Sequence, residues 1–196
     1  MPNSIRTLSA FIPGGNPDTM NVAAPTALTG GGTPPGSFFP YAGGDLGASF
    51  DYNDKTYELV QLDSGATAAT ASGVVAANQL AYWKSKSLRI VTNNRSDTLG
   101  SSVANASGNF VAGIFRTAVG AGNLCCILAR GHGIPVKSGS NTLTVGQGIT
   151  SDVDANGPQV VGVNVGTAPG YMPLGYVRAN NSGGNTTCDV DIPVLA

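Results

Sequence analysis

The feature that most constrains this chain is an internal repeat of a strand–turn–strand unit. Val111 to Arg130 reads V-A-G-I-F-R-T-A-V-G-A-G-N-L-C-C-I-L-A-R, and a related stretch runs from Leu174 to Ile192. At an offset of 62 positions (175 less 113), Gly113 falls on Gly175, Arg116 on Arg178, Gly122 on Gly184, Asn123 on Asn185 and Cys126 on Cys188. Each copy has two apolar runs around a Gly-rich turn, and Gly and Asn tolerate the positive φ that closing a short hairpin demands. The repeat therefore predicts a core built from hairpins. Neither turn is a phosphate-binding loop, since no Gly-Lys-Ser/Thr follows the glycines.

Composition agrees with an all-β chain. Among 196 residues, 41% are apolar and 11% charged. That is enough for a real core, and too little Glu, Lys and Arg for long amphipathic helices. The expected class is all-β, a small β-barrel or sandwich of repeated hairpins with an extended, irregular N-terminal arm. A net charge of −1 gives no electrostatic footprint of the kind that duplex binding needs. Lys84, Lys86, Arg89 and Arg95 form a basic cluster, expected on a solvated strand and loop. Three cysteines, two of them adjacent, make no even disulfide framework; as strand neighbours, Cys125 and Cys126 point to opposite faces. All three are expected reduced and packed. No run approaches the roughly 18 apolar residues of a membrane span, and none suits a signal peptide.

Residues 1–55 differ in kind from residues 56–196. Pro13 to Pro17, Thr29 to Gly36 and Tyr41 to Asp45 are rich in Pro and Gly, which break helix and ladder alike. The stretch nevertheless carries Phe11, Ile12, Met20, Phe38, Phe39, Tyr41, Phe50 and Tyr52, groups that disordered linkers lack. The expectation is an arm ordered by lying on another surface, either its own domain or a neighbouring subunit. Fifty extended residues reach at most ~165 Å. The candidate contacts with that surface or subunit are Phe11, Ile12, Phe38, Phe39, Tyr41, Phe50 and Tyr52, with Trp83 as a core or interface anchor.

Within the domain, Thr56 to Leu62 alternates as a first strand. Val74 to Trp83 reads as strand, Ala-Asn turn and strand, and Leu88 to Thr92 as another strand. Residues 66–73 fit a short helix or a loop equally. Gly131-His132-Gly133 is expected to turn the chain, leaving the single histidine in a loop. Asp152, Asp154 and Asn156 open like a calcium loop, but Val163 stands where the closing Glu belongs. A hairpin turning at Asn156-Gly157 is the better reading, so the metal candidate is weak. Asp189 and Asp191 share one strand face, expected at a solvent-facing edge. The sequons at Asn94, Asn105, Asn180 and Asn185 suit a Ser/Thr/Asn-rich chain. No nucleophile, base and orienter assemble, so neither enzyme activity nor a cofactor is expected.

Ala76 to Trp83 (A-A-N-Q-L-A-Y-W), Val111 to Asn123, Val145 to Ile149 (V-G-Q-G-I) and Pro173 to Ala179 (P-L-G-Y-V-R-A) give the domain a rhythm that resembles the decoration, or cement, proteins of tailed-bacteriophage capsids. The likeness covers about residues 56–196. It implies a non-catalytic virion protein, made in the host cytoplasm, on the outer capsid surface. Its partner would be the major capsid protein, it would be a homo-oligomer, often a trimer, and it would touch neither nucleic acid nor membrane. The alternative is a receptor-binding or fibre module using loops around 97–109 and 131–142.

Overall fold

The computed structural model describes residues 16–22, 46–47, 49–64, 74–94, 111–138, 141–154, 157–163, 174–182 and 187–193. Among them the fold is all-β, apart from a 3₁₀ turn at Pro17–Thr19. Fifteen strands follow in order: β1 (Asn21–Val22), β2 (Ser49–Tyr52), β3 (Lys55–Leu62), β4 (Val74–Val75), β5 (Leu80–Ser85), β6 (Ile90–Thr92), β7 (Val111–Phe115), β8 (Val119–Gly120), β9 (Leu124–Lys137), β10 (Thr142–Leu143), β11 (Gly148–Asp154), β12 (Gly157–Val163), β13 (Gly175–Val177), β14 (Asn181–Ser182) and β15 (Thr187–Ile192).

Five of these close a barrel in the order β3-β9-β7-β5-β6. The ring shuts through a parallel contact of β6 with β3, which sets Gln61 against Ile90 and Leu62 against Val91. Val60, Leu62, Ala81, Trp83, Val91, Ala112, Phe115, Cys125 and Ile127 come from all five staves and pack as one buried cluster. A cluster drawn from every stave is the barrel interior, filled by side chains as a small barrel must be. The alternate residues of the same strands, Tyr57, Leu59, Leu80, Tyr82, Ile114, Cys126 and Leu128, point outward into a second cluster. Cys125 and Cys126 thus do lie on opposite faces, and all three cysteines are free and buried.

The second cluster is covered by a sheet ordered β12-β11-β13-β15, which joins the barrel through β9. With 14 residues β9 serves both layers: Leu124 to Arg130 pair with β3, and Gly131 to Lys137 with β15. Gly131-His132-Gly133 therefore does not turn the chain, and His132 is a strand residue instead of a loop residue. The bend is absorbed in place: Gly133 takes φ +60°, and the β15 register shifts between Val190 and Ile192, as at a bulge. β15 is flanked by β9 on one side and β13 on the other, so Asp189 and Asp191 lie on an interior strand, not at an edge.

Both repeat copies are hairpins, built on β7–β9 and β13–β15. Their registers differ by one residue. Ile114 faces Leu128 in the first copy; the equivalents, Tyr176 and Val190, are not opposite each other, because Tyr176 faces Asp191. The glycine shared by the copies has a common cause. A Cβ on Gly113 would meet the Leu128 carbonyl oxygen at 2.6 Å, and one on Gly175 would come closer still to the Asp191 carbonyl oxygen. In each hairpin the partner backbone passes where a side chain would stand. β11 and β12 form the hairpin expected near Asn156-Gly157, with Asp154 opposite Gly157.

Candidate functional site

The described parts of the N-terminal stretch are built into the domain at two places. The first is a strap, residues 16–22. Asn16 caps the 3₁₀ turn by accepting from the Asp18 amide at 3.0 Å, with Pro17 preset for the first turn. The turn drops Met20 into the outward cluster, where it is 2% exposed and its Sδ accepts from Cys126 Sγ at 3.4 Å. β1 then pairs Asn21 with Cys125 and Val22 with Leu124. On β9, β7 reaches only Ile127 and Leu128, while β3 holds the other side from Leu124 to Arg130. The strap thus continues the ladder where β7 stops and completes the barrel wall.

Polar contacts hold the strap at both ends. Asp18 Oδ1 lies 3.2 Å from Arg116 Nε and accepts from the Tyr57 hydroxyl at 2.7 Å. Arg116 also donates through one terminal nitrogen to Asn78 Oδ1 at 3.0 Å and to the Pro135 carbonyl at 3.4 Å. One guanidinium therefore ties the strap to the β4–β5 turn and to β9. Burial, followed by the hydrogen bond to Asp18, pushes the Tyr57 hydroxyl well above the usual tyrosine range, so it stays a donor. At the other end Asn21 Oδ1 accepts from Asn123 Nδ2 at 2.7 Å and from the Gly120 amide at 3.3 Å. Asn123 and Arg116 are two of the repeat identities, here used to grip the strap.

The second anchor is residues 46–47 and 49–52. β2 forms a hairpin with β3, Tyr52 opposite Lys55, and both turn residues, Asn53 and Asp54, have positive φ as a type I′ turn requires. Tyr52 and Leu46 pack against the outward cluster, and the Gly47 amide donates to the Leu59 carbonyl at 2.7 Å. A division at Lys55 therefore runs through a hairpin. Asn53-Asp54 between alternating aromatic strands was the local signal for this anchor.

Phe11, Ile12, Phe38, Phe39 and Tyr41 lie outside the described residues. Phe50 lies on β2, with its side chain outside them as well. Trp83 is 4% exposed in the barrel interior, so it is a core residue and not a contact residue. Lys86 of the basic cluster is exposed, as expected, while Lys84 pairs with Asp63, and Arg89 pairs with Glu58 at 2.9 Å and stacks 5.7 Å from the centroid of the Trp83 ring. Arg95 lies outside the described residues. The backbones of Asp152 and Asp154 run in β11; their side chains and Asn156 are outside the description. Residues 97–109 are outside it too, while 131–137 are strand.

One further cluster lies on the exposed face of β9 and β15. Asp191 Oδ1 accepts from the Gly133 amide at 2.9 Å and lies 3.5 Å from both Arg178 and His132 Nδ1. The Gly133 amide, then Arg178, holds the Asp191 carboxyl below its ordinary value. Among the described residues no group of three or more His, Cys, Asp or Glu side chains is placed to hold a metal. Burial pushes the Cys125 thiol up to about 12 and raises Cys126 and Cys188 as well, which suppresses the thiolates that nucleophilic chemistry needs.

No protein-family model matches this chain, and no curated protein matches it. Among solved structures it is similar to the crystal structure of the head fiber gp8.5 N base in bacteriophage phi29, at 13% identity over 71% of this chain and 96% of that one. The TM-score is 0.40, and a likeness of that size carries no argument about function.

Proposed function

We propose that this chain is a structural virion protein that binds the outer surface of an assembled phage capsid and stabilises it by bridging major-capsid subunits. The observation that carries this reading is the double anchoring of the N-terminal stretch. Residues 16–22, 46–47 and 49–52 are fixed to the barrel, and the sequence between the first and second of these holds Phe38, Phe39 and Tyr41 in a Pro/Gly-rich setting. A barrel that tethers such a stretch at both ends suits work done by burying area against another protein, at ~25 cal/mol per Å² before association costs. The large apolar side chains exposed among the described residues, Leu88, Val145 and Tyr176, lie in separate turns and a strand, as ordinary surfaces allow.

Under this reading the chain is not an enzyme, needs no cofactor, and works as a homo-oligomer, a trimer being the form expected on a three-fold lattice position. Many copies acting together on a symmetric shell need only modest contacts each. The test is co-sedimentation with assembled shells of the full chain and of a Phe38→Ala, Phe39→Ala, Tyr41→Ala variant. The variant should fold as the parent does and stay in the supernatant; retention of full binding would reject the role given to the stretch. A receptor-binding or fibre module is the competing reading, and labelled particles would then carry the protein at a fibre or tail instead of across the head.

A further inference from the structure

We propose that the strap is exchangeable: the slot on β9 beside β7, filled in each barrel by residues 16–22, takes the same segment from a second copy of this chain. Its occupant is specified by three independent demands. Arg116 and Tyr57 call for a carboxylate at the Asp18 position, Cys126 and its neighbours for an unbranched apolar group at Met20, and Asn123 with the Gly120 amide for an acceptor at Asn21. Left empty, the slot would also bare the Leu124 and Cys125 backbone where β7 has ended. The sequence that meets all of these demands is the strap itself.

The connection permits the exchange. Residues 23–45 separate Val22 from the anchored Leu46, and 23 residues extended span about 76 Å. A chain of this length has a radius of gyration of ~16 Å, so a folded copy is about 40 Å across. The strap can thus cross to a neighbour without disturbing either barrel. An exchanged pair makes every strap contact of the unexchanged chain, so only the linking segment and the concentration decide between them. In dilute solution each strap occupies its own slot, and crowding copies together shifts the balance towards exchange. The exchange would give the oligomer of the functional reading a physical link, yet it is independent of shell binding: a chain that binds no shell still exchanges straps, and one that binds shells need not.

The experiment mixes two full-length chains, co-expressed and concentrated. One carries Asn21→Cys and the other Asn123→Cys, at side chains that are exposed and in contact, whereas the native thiols are buried. A short bis-maleimide should link the two chains into a covalent heterodimer, while the chain carrying both substitutions links internally when dilute. In parallel, Asp18→Arg and Arg116→Asp chains, each unable to close its own latch, should form heterodimers by native mass spectrometry when mixed. The cross-linked heterodimer, or a dimer in the Asp18→Arg and Arg116→Asp mixture that neither chain forms alone, supports the exchange; association that each charge-reversed chain shows equally alone, without the cross-link, overturns it. Monomers throughout both assays overturn it.

Discussion

Asp18 and Arg116 are 98 positions apart in the chain, and their side chains meet at 3.2 Å, with Arg116 only 12% exposed. The contact makes the N-terminal strap part of the barrel. Asp18→Ala would leave a largely buried guanidinium and the Tyr57 hydroxyl short of an acceptor, which costs about 1–3 kcal/mol. Urea unfolding should show that loss with the slope unchanged; an unchanged midpoint would mean the strap is not held this way.

Met20→Ala acts on the same strap through packing. Removing a buried Met side chain costs about 2–5 kcal/mol where the site cannot collapse. Because the strap carries Met20, limited proteolysis should cut N-terminal to residue 22 faster while the barrel fragment persists. Equal cleavage rates in parent and variant would count against the anchoring.

Tyr57 gives the alkaline side of the stability profile. Its folded pKa is raised, so the neutral phenol is favoured in the folded state. The resulting stability is fully present below the unfolded value near ~10 and shrinks as pH rises from there towards the folded value. Tyr57→Phe should be less stable than the parent at neutral pH by about 1 kcal/mol, and the difference should narrow above pH ~10. The buried thiols add a loss of the same sign to both proteins, so the comparison isolates Tyr57. A constant gap across that range would contradict the assignment.

How much of this was written locally follows the range of each interaction. The turn chemistry of Gly122-Asn123 and the alternation of Thr56 to Leu62 announced their strands, and the adjacency of Cys125 and Cys126 announced two buried faces. The Asp18–Arg116 latch and the parallel closure of β6 on β3 were not legible, because neither follows from a turn or a periodicity. Gly131 and Gly133 misled for a physical reason: the residues that make a turn also make a bulge, and only the β15 partner decides which. The apolar side chains of residues 1–55 announced anchors, Met20 and Tyr52 among them, but not where each docks, because that depends on contacts supplied by the barrel.

The repeat glycines offer a separate check. Gly113→Ala and Gly175→Ala each drive a methyl into a partner carbonyl, at a cost of about 1–3 kcal/mol. Gly146 has φ +81° and nothing within 4 Å of an added Cβ, so Gly146→Ala should cost only the backbone strain of about 1–2 kcal/mol. If a thermal melt places Gly146→Ala below both others, close backbone approach is not why the repeat keeps its glycine.

The proposed capsid role makes this barrel a building block of a phage head. Quantitative mass spectrometry of purified particles tests it most directly. This chain should be present in a fixed ratio to the major capsid protein, as occupancy of a repeated lattice position requires. Its absence from particles, or a handful of copies confined to a tail or fibre, would contradict it.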